Sequence, residues 1–345
     1  MPESRTVPSV APAPAAPPVR IGLAGATGFA GRELVRLLAR HPGVRLQLAM
    51  SSAAGGDAHP LPGFARIWDG AVVPLSADAL ADGADVVLLA LPDAAAAALA
   101  PRLVAAGRRV IDLSGAFRLR DAAARARWYP DTAALPAAVA YGLTELERDA
   151  VRTARLIANP GCYPTASLLA LQPLDAAGLL DGEVVIDAKS GISGAGRTPT
   201  DRTHFSACHG NVAAYGLFGH RHTPEIEQGL ARPVTFVPHL VPIDRGILAT
   251  IYARVRPGTS AADVEAAFAR AYADAPFVRL TGDALPEIRH VAQTNFCDLG
   301  WRLDAATGRL VLVSCLDNLV KGAAGQAVQN LNVALGFDER TGLLP

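Results

Sequence analysis

Four short stretches in the first half of the chain, residues 19–24, 46–50, 85–90 and 109–113, are rich in valine, leucine and isoleucine with little polar alternation. Apolar runs of that length predict strands covered on both faces. Between them the period changes. Residues 33–38 place their apolar side chains at helical spacing, and residues 94–106 form an alanine-rich helical stretch. Strands alternating with helices imply an α/β fold, a Rossmann-type doubly wound parallel sheet that binds ligands at its carboxyl edge.

The second half reads differently. A strand pattern at 183–189 is followed by β-rich runs at 234–241, 245–255, 294–303 and 309–315, the last two bracketing a hairpin turn at 304–308. Sequential strands pair antiparallel, so this half is predicted to be a second, α+β domain with a mixed, largely antiparallel sheet. The amphipathic segment 261–273 covers one of its faces. The division that follows is an Ala/Pro-rich disordered tail over 1–18, a Rossmann domain over 19–160 completed by a C-terminal helix over 318–340, and a catalytic and oligomerisation domain over 161–317.

Composition narrows the function classes. With 345 residues and 50% hydrophobic content the chain can bury two cores, and 32 basic residues balance 32 acidic ones. Nothing in that balance predicts nucleic-acid or membrane-surface binding. No apolar stretch is long enough to span a bilayer, and the tail lacks the apolar core of a secretory signal. The four cysteines, Cys162, Cys208, Cys297 and Cys315, are scattered without a CxxC pair, which suits a reducing compartment and makes the cytoplasm the expected location. Only two lysines occur, Lys189 and Lys321.

The candidate chemistry lies at the junctions between these elements. GATGFAG at 25–31 joins a predicted strand to a predicted helix, where glycines permit a tight turn and let a pyrophosphate rest on helix N–H groups. Thr27 stands where the usual second glycine would fall. The next strand ends in Ser51 and Ser52 rather than an acidic residue. Small hydroxyl groups can accommodate a ribose 2′-phosphate, which favours NADP over NAD. Arg118, just past a later strand end, offers a planar fork for a phosphate or carboxylate. NPGCYPTA at 159–166 puts Cys162 at a helix start, where the dipole and free N–H groups would lower a thiol pKa. A buried structural cysteine is the other reading of the same residues.

SGISGAGR at 190–197 could let a cofactor approach the backbone closely or serve as a flexible connection, and Lys189 before it and Arg197 after it favour an anion nearby. GHRHTPEI at 219–226 sets His220 and His222 just before a helix opened by Thr223 and Pro224, and histidine is the natural proton carrier near neutral pH. A zinc site joining these histidines to Cys208 and His209 lacks any completed ligand spacing, so no metal is expected. DNLVKGAAGQA at 317–327 begins the last helix, where Asn318 offers a donor and an acceptor to an amide such as nicotinamide.

Taken together, GATGFAG, NPGCYPTA, SGISGAGR, GHRHTPEI, PIDRGILAT and DNLVKGAAGQA, in that order over residues 19–340, resemble the N-acetyl-gamma-glutamyl-phosphate reductase family within the aspartate-semialdehyde dehydrogenase-like group. The resemblance implies NADPH-dependent reduction of N-acetyl-L-glutamyl 5-phosphate to the 5-semialdehyde, with release of phosphate, in arginine biosynthesis. It implies Cys162 as nucleophile, His220 as base and acid with His222 as the alternative, and Arg118 as substrate-anion residue. Gly25, Thr27, Gly28, Ser51, Ser52, Gly194 and Asn318 would be cofactor contacts, with Lys189 and Lys321 as weaker candidates to serve phosphate or orient Asn318. A homodimer or homotetramer is expected. Aspartate-semialdehyde dehydrogenase and carrier-linked aminoadipyl-phosphate reductase are the rival enzymes, and a nicotinamide-sensing binding protein is the rival without turnover.

Overall fold

The computed structural model describes residues 17–51, 57–132 and 138–344; nearly all of the predicted tail and Ser52 lie outside that set. Eight strands build the first sheet: β1 (Val19–Ala24), β2 (Val44–Ser51), β3 (His59–Pro60), β4 (Ala71–Pro74), β5 (Val86–Leu89), β6 (Arg109–Asp112), β7 (Val139–Tyr141) and β8 (Leu156–Ala158). Their order is β3-β4-β2-β1-β5-β6-β8-β7. Every neighbouring pair is parallel except β3 with β4.

The apolar runs of the sequence have a direct cause here. Ile21, Leu23, Val86, Leu88 and Ile111 pack on one face of the sheet against the helices Phe29–Ala39 and Gly325–Leu335. Ala24, Val87, Leu89 and Val110 pack on the other, against Ala77–Gly83 and Asp93–Ala105. With both faces covered, alternate positions are all apolar.

Seven strands form the second sheet: β9 (Leu180–Gly191), β10 (Ala213–Ala214), β11 (Thr235–Val241), β12 (Ile247–Val255), β13 (Val278–Leu280), β14 (Cys297–Asp304) and β15 (Arg309–Leu316), ordered β10-β11-β9-β12-β15-β14-β13. Only β11–β9 and β13–β14 are parallel, so the sheet is mixed and largely antiparallel. Its inner face packs on the helices Cys162–Ala176 and Ala261–Tyr272 through Leu169, Leu171, Ile186, Ile251, Phe268 and Leu312.

The last helix differs from its predicted span. It runs over Gly325–Leu335, after a wider π-type turn at Val320–Ala324. The chain is glycine- and alanine-rich at this turn, and a Cβ placed on Gly322 would lie only 2.7 Å from Cys162 Cβ. Small residues therefore let the wider winding press against the cysteine-bearing helix. The two sheets meet there, with β8 feeding directly into that helix.

Candidate active site

A cavity of about 770 Å³ opens at this seam, at the carboxyl ends of the first sheet's strands. Its floor on one side is the start of the helix Phe29–Ala39. Gly28 caps that helix without a side-chain hydrogen bond, and no acidic residue occupies the first turn. Free N–H groups and a positive dipole end without a competing anion suit a dinucleotide's phosphates. Gly25 is required behind this turn: its φ is +93°, and a Cβ there would come within 2.1 Å of the Ala90 carbonyl oxygen. These residues fit a bound nicotinamide dinucleotide.

The predicted cofactor residues do not all face the cavity. Gly28, Gly194 and Asn318 line it. Gly25 shapes the turn, while Thr27 Oγ1 and Ser51 Oγ lie 3.2 Å apart at the end of β2. Asn318 is largely committed within the protein: its Oδ1 accepts the Gly246 amide at 2.6 Å, and its Nδ2 donates to Ser193 Oγ at 2.9 Å. One N–H of the amide remains for a ligand.

Cys162 opens the helix Cys162–Ala176 after Gly161 as N-cap, so the predicted placement of the thiol is what the structure has. Its acidity is not as predicted. Burial pushes the half-buried Cys162 thiol up to about 11, against the opposing pull of the Arg118 charge and the backbone N–H of Tyr163. A helix terminus favours a thiolate, but desolvation in this crowded seam outweighs it.

Arg118 is held on all sides. Its Nε donates to the Asn159 carbonyl at 2.8 Å and its Nη2 to the Leu113 carbonyl at 2.7 Å, while Nη1 faces Glu225 Oε2 at 3.4 Å and His222 Nε2 at 3.5 Å. Burial works against its charge, yet Glu225 keeps the guanidinium firmly protonated. It lines the cavity together with Cys162, His220 and His222.

The His220 ring sits in an aromatic box of Tyr163, Tyr215 and Phe236, each edge-on with centroids 5.3–5.7 Å away. That burial, and then the Arg221 charge, lowers its pKa to about 4, so the ring is neutral near neutral pH. Nδ1 accepts the His222 backbone N–H at 3.0 Å, which assigns the remaining proton to Nε2, 3.4 Å from the Tyr215 hydroxyl. His222 is pressed closer to the backbone just before Cys162: a Cβ on Gly161 would lie 2.5 Å from its Nε2. Burial, then His220 and Arg118, holds its pKa well below the usual range, and its Nδ1 is buried without a hydrogen-bond partner.

The two lysines stand elsewhere. Lys189 pairs with Asp187 on β9 at 2.8 Å, and Lys321 is fully buried against Glu145, Gln326 and Gln329 at 2.5–2.7 Å. Neither lines the cavity, so the phosphate role anticipated for them is corrected. Three residues that no sequence signal had marked do reach it: Tyr215, Arg202 stacked over Tyr215 at 5.3 Å, and Arg221, which is paired with Asp93. Among the described residues, no group of three or more His, Cys, Asp and Glu is placed to hold a metal, and no helix is long and apolar enough to cross a membrane.

Comparison with known proteins agrees with this arrangement. Residues 20–154 match the family model "Semialdehyde dehydrogenase, NAD binding domain", and residues 162–318 match "Semialdehyde dehydrogenase, dimerisation domain". Curated N-acetyl-gamma-glutamyl-phosphate reductases from Desulforudis audaxviator and Symbiobacterium thermophilum are 48% and 47% identical, each covering 94% of this chain, and 98% and 97% of the respective relatives. The solved aspartate semialdehyde dehydrogenase II of Vibrio cholerae shares the fold, with a TM-score of 0.72 at 19% identity over 93% of this chain and 99% of that one. A nicotinamide-binding sheet, a cysteine at a helix start and near-full-length likeness at this level make the chain an oxidoreductase that belongs to the N-acetyl-gamma-glutamyl-phosphate reductase family.

Proposed function

We propose that the chain reduces N-acetyl-L-glutamyl 5-phosphate to N-acetyl-L-glutamate 5-semialdehyde with NADPH, releasing phosphate, as a cytoplasmic step of arginine biosynthesis. The observation that carries this reading is the convergence of Cys162, Arg118, His220 and the uncapped helix start at Gly28 on one cavity. Arg118 would hold the substrate anion through the N–H that its protein partners leave on Nη2, while its charge is secured by Glu225. Cys162 Sγ would attack the acyl carbon: the C–S bond forms, the C–O bond to phosphate breaks, and phosphate departs. When bound, the nicotinamide cofactor supplies the hydride that takes the acyl group to the aldehyde level. Collapse of the thiohemiacetal then breaks the C–S bond and returns the sulfur as thiolate.

His220 is the proposed acid–base residue, with His222 as the alternative. In the tautomer present, His220 Nε2–H can donate to the oxygen that gains charge during acyl transfer. Taking up the thiol proton at Nε2 requires the other tautomer, and therefore release of the His222 amide from Nδ1. NADP rather than NAD is supported by Ser51 at the end of β2, where no carboxylate opposes a 2′-phosphate, and by Arg197, whose Nη1 donates to the Thr27 carbonyl at 3.1 Å beside the glycine loop.

The test is the reverse assay: phosphate-dependent NADP reduction with N-acetylglutamate semialdehyde and aspartate semialdehyde side by side, and NAD in parallel. Preference for the acetylated aldehyde and for NADP is expected. Cys162→Ala is expected to lose at least 1000-fold in turnover (an order-of-magnitude figure for removing a covalent nucleophile) while NADPH still quenches its fluorescence. Near-normal turnover in that variant would overturn the covalent route.

A further inference from the structure

Glu225 is the third residue of the helix Thr223–Leu230, a position from which a glutamate ordinarily turns back to cap its own helix. Here the His222 amide it would reach is taken by His220 Nδ1. The carboxylate extends away from the helix instead, and its side chain has no exposure at all. Burying a carboxylate is costly unless every lone-pair direction finds a donor. Three donors from three distant segments meet it: the Gly161 amide at 2.9 Å and the Tyr141 hydroxyl at 2.8 Å on Oε1, and Arg118 Nη1 at 3.4 Å on Oε2. Gly161 immediately precedes the nucleophile and caps its helix, Tyr141 ends β7, and Arg118 lies beyond β6.

Resting on the acyl-transfer reading above, we propose that Glu225 is a positioning residue that fastens the nucleophile's backbone and the substrate-anion residue to one buried carboxylate, fixing their spacing. The carboxylate also sets the local charge. Burial keeps the resting Cys162 thiol protonated; Arg118 draws it towards thiolate and Glu225 offsets part of that pull. Removing the negative partner leaves the guanidinium uncompensated beside the sulfur.

Glu225→Gln keeps the shape and can still accept from Gly161 and Tyr141, but it turns an NH₂ group towards Arg118. Its kcat is expected to fall about tenfold or more with little change in KM, because Arg118 stays bonded to the Asn159 and Leu113 carbonyls while its spacing from Cys162 loosens. In the free protein, the midpoint for iodoacetamide alkylation of Cys162 is expected to drop by about one pH unit. Tyr141→Phe, which removes a donor but no charge, is expected to leave that midpoint where it is in the parent. Glu225→Asp, which keeps the charge but shortens the reach, is expected to lower kcat without moving the midpoint, and it decides the matter if the glutamine variant does not fold. Parental kcat in both Glu225 variants, or the same midpoint shift in Tyr141→Phe, overturns the proposal. Alkylation needs no substrate, so a shifted midpoint alongside failure to reduce the acetylated acyl phosphate would sink the substrate assignment and leave Glu225's role standing.

Discussion

At the level of single residues, the site turns on a contest between a helix dipole and desolvation at Cys162. The dipole contribution is confined to the first turn and is modest, whereas enclosing a thiolate among Tyr163, Gly322 and the histidines removes its hydration. Because only the thiolate is nucleophilic, alkylation of the free protein is expected to keep accelerating as pH rises towards about 11, rather than to level off near the usual thiol range. Stopped-flow iodoacetamide rates from pH 7 to 11 check this; a plateau by pH 8 would contradict it. His220, held neutral down to about 4, gives no protonation step between pH 5 and 8. Cys162, Arg118 and His220, which the sequence marks at strand ends and helix starts, line one cavity, because such junctions are legible locally. It could not give the thiol's acidity, which depends on neighbours far along the chain.

At the scale of elements, the π-type turn Val320–Ala324 places one of the chain's two lysines in a buried ion pair. Lys321 reaches Glu145 at the start of the helix Thr144–Thr153 and two glutamines of its own segment, with both charged groups fully buried. Burial alone would raise the Glu145 pKa, and Lys321 overcomes it, so the carboxylate stays below its ordinary range. Lys321→Met is expected to cost about 3–5 kcal/mol, since it strands the Glu145 carboxylate. The double change Lys321→Met with Glu145→Gln should recover a substantial part. Urea denaturation of both checks this; equal stabilities for the single variant and the parent would refute it. Periodicity foretold a helix here but not its wide first turn, because winding is decided by the contact of Gly322 on Cys162 and by the buried pair.

On the scale of the whole molecule, two sheets of different pairing are joined at a seam where one supplies the edge of the NAD-binding domain and the other supports the helix that Cys162 opens. The outer face of the second sheet presents Tyr252, Val311 and Val313 rather than a continuous polar surface, and Tyr252 is 46% exposed. With the likeness to a family model described as a dimerisation domain, this supports a homo-oligomer. Light scattering is expected to give at least twice the 35.7 kDa chain mass; a monomer at micromolar concentration would refute it. The sequence by itself determined the two kinds of sheet, the glycine turn and the cysteine's helix start, because each follows from side-chain period, backbone freedom or a neighbouring proline within a few residues. Only the tertiary structure decided that Glu225 gathers Gly161, Tyr141 and Arg118, that Lys189 and Lys321 stand away from the cavity, and that the thiol is held protonated. Those outcomes depend on which distant groups share a low-dielectric space, and local spacing carries no information about that.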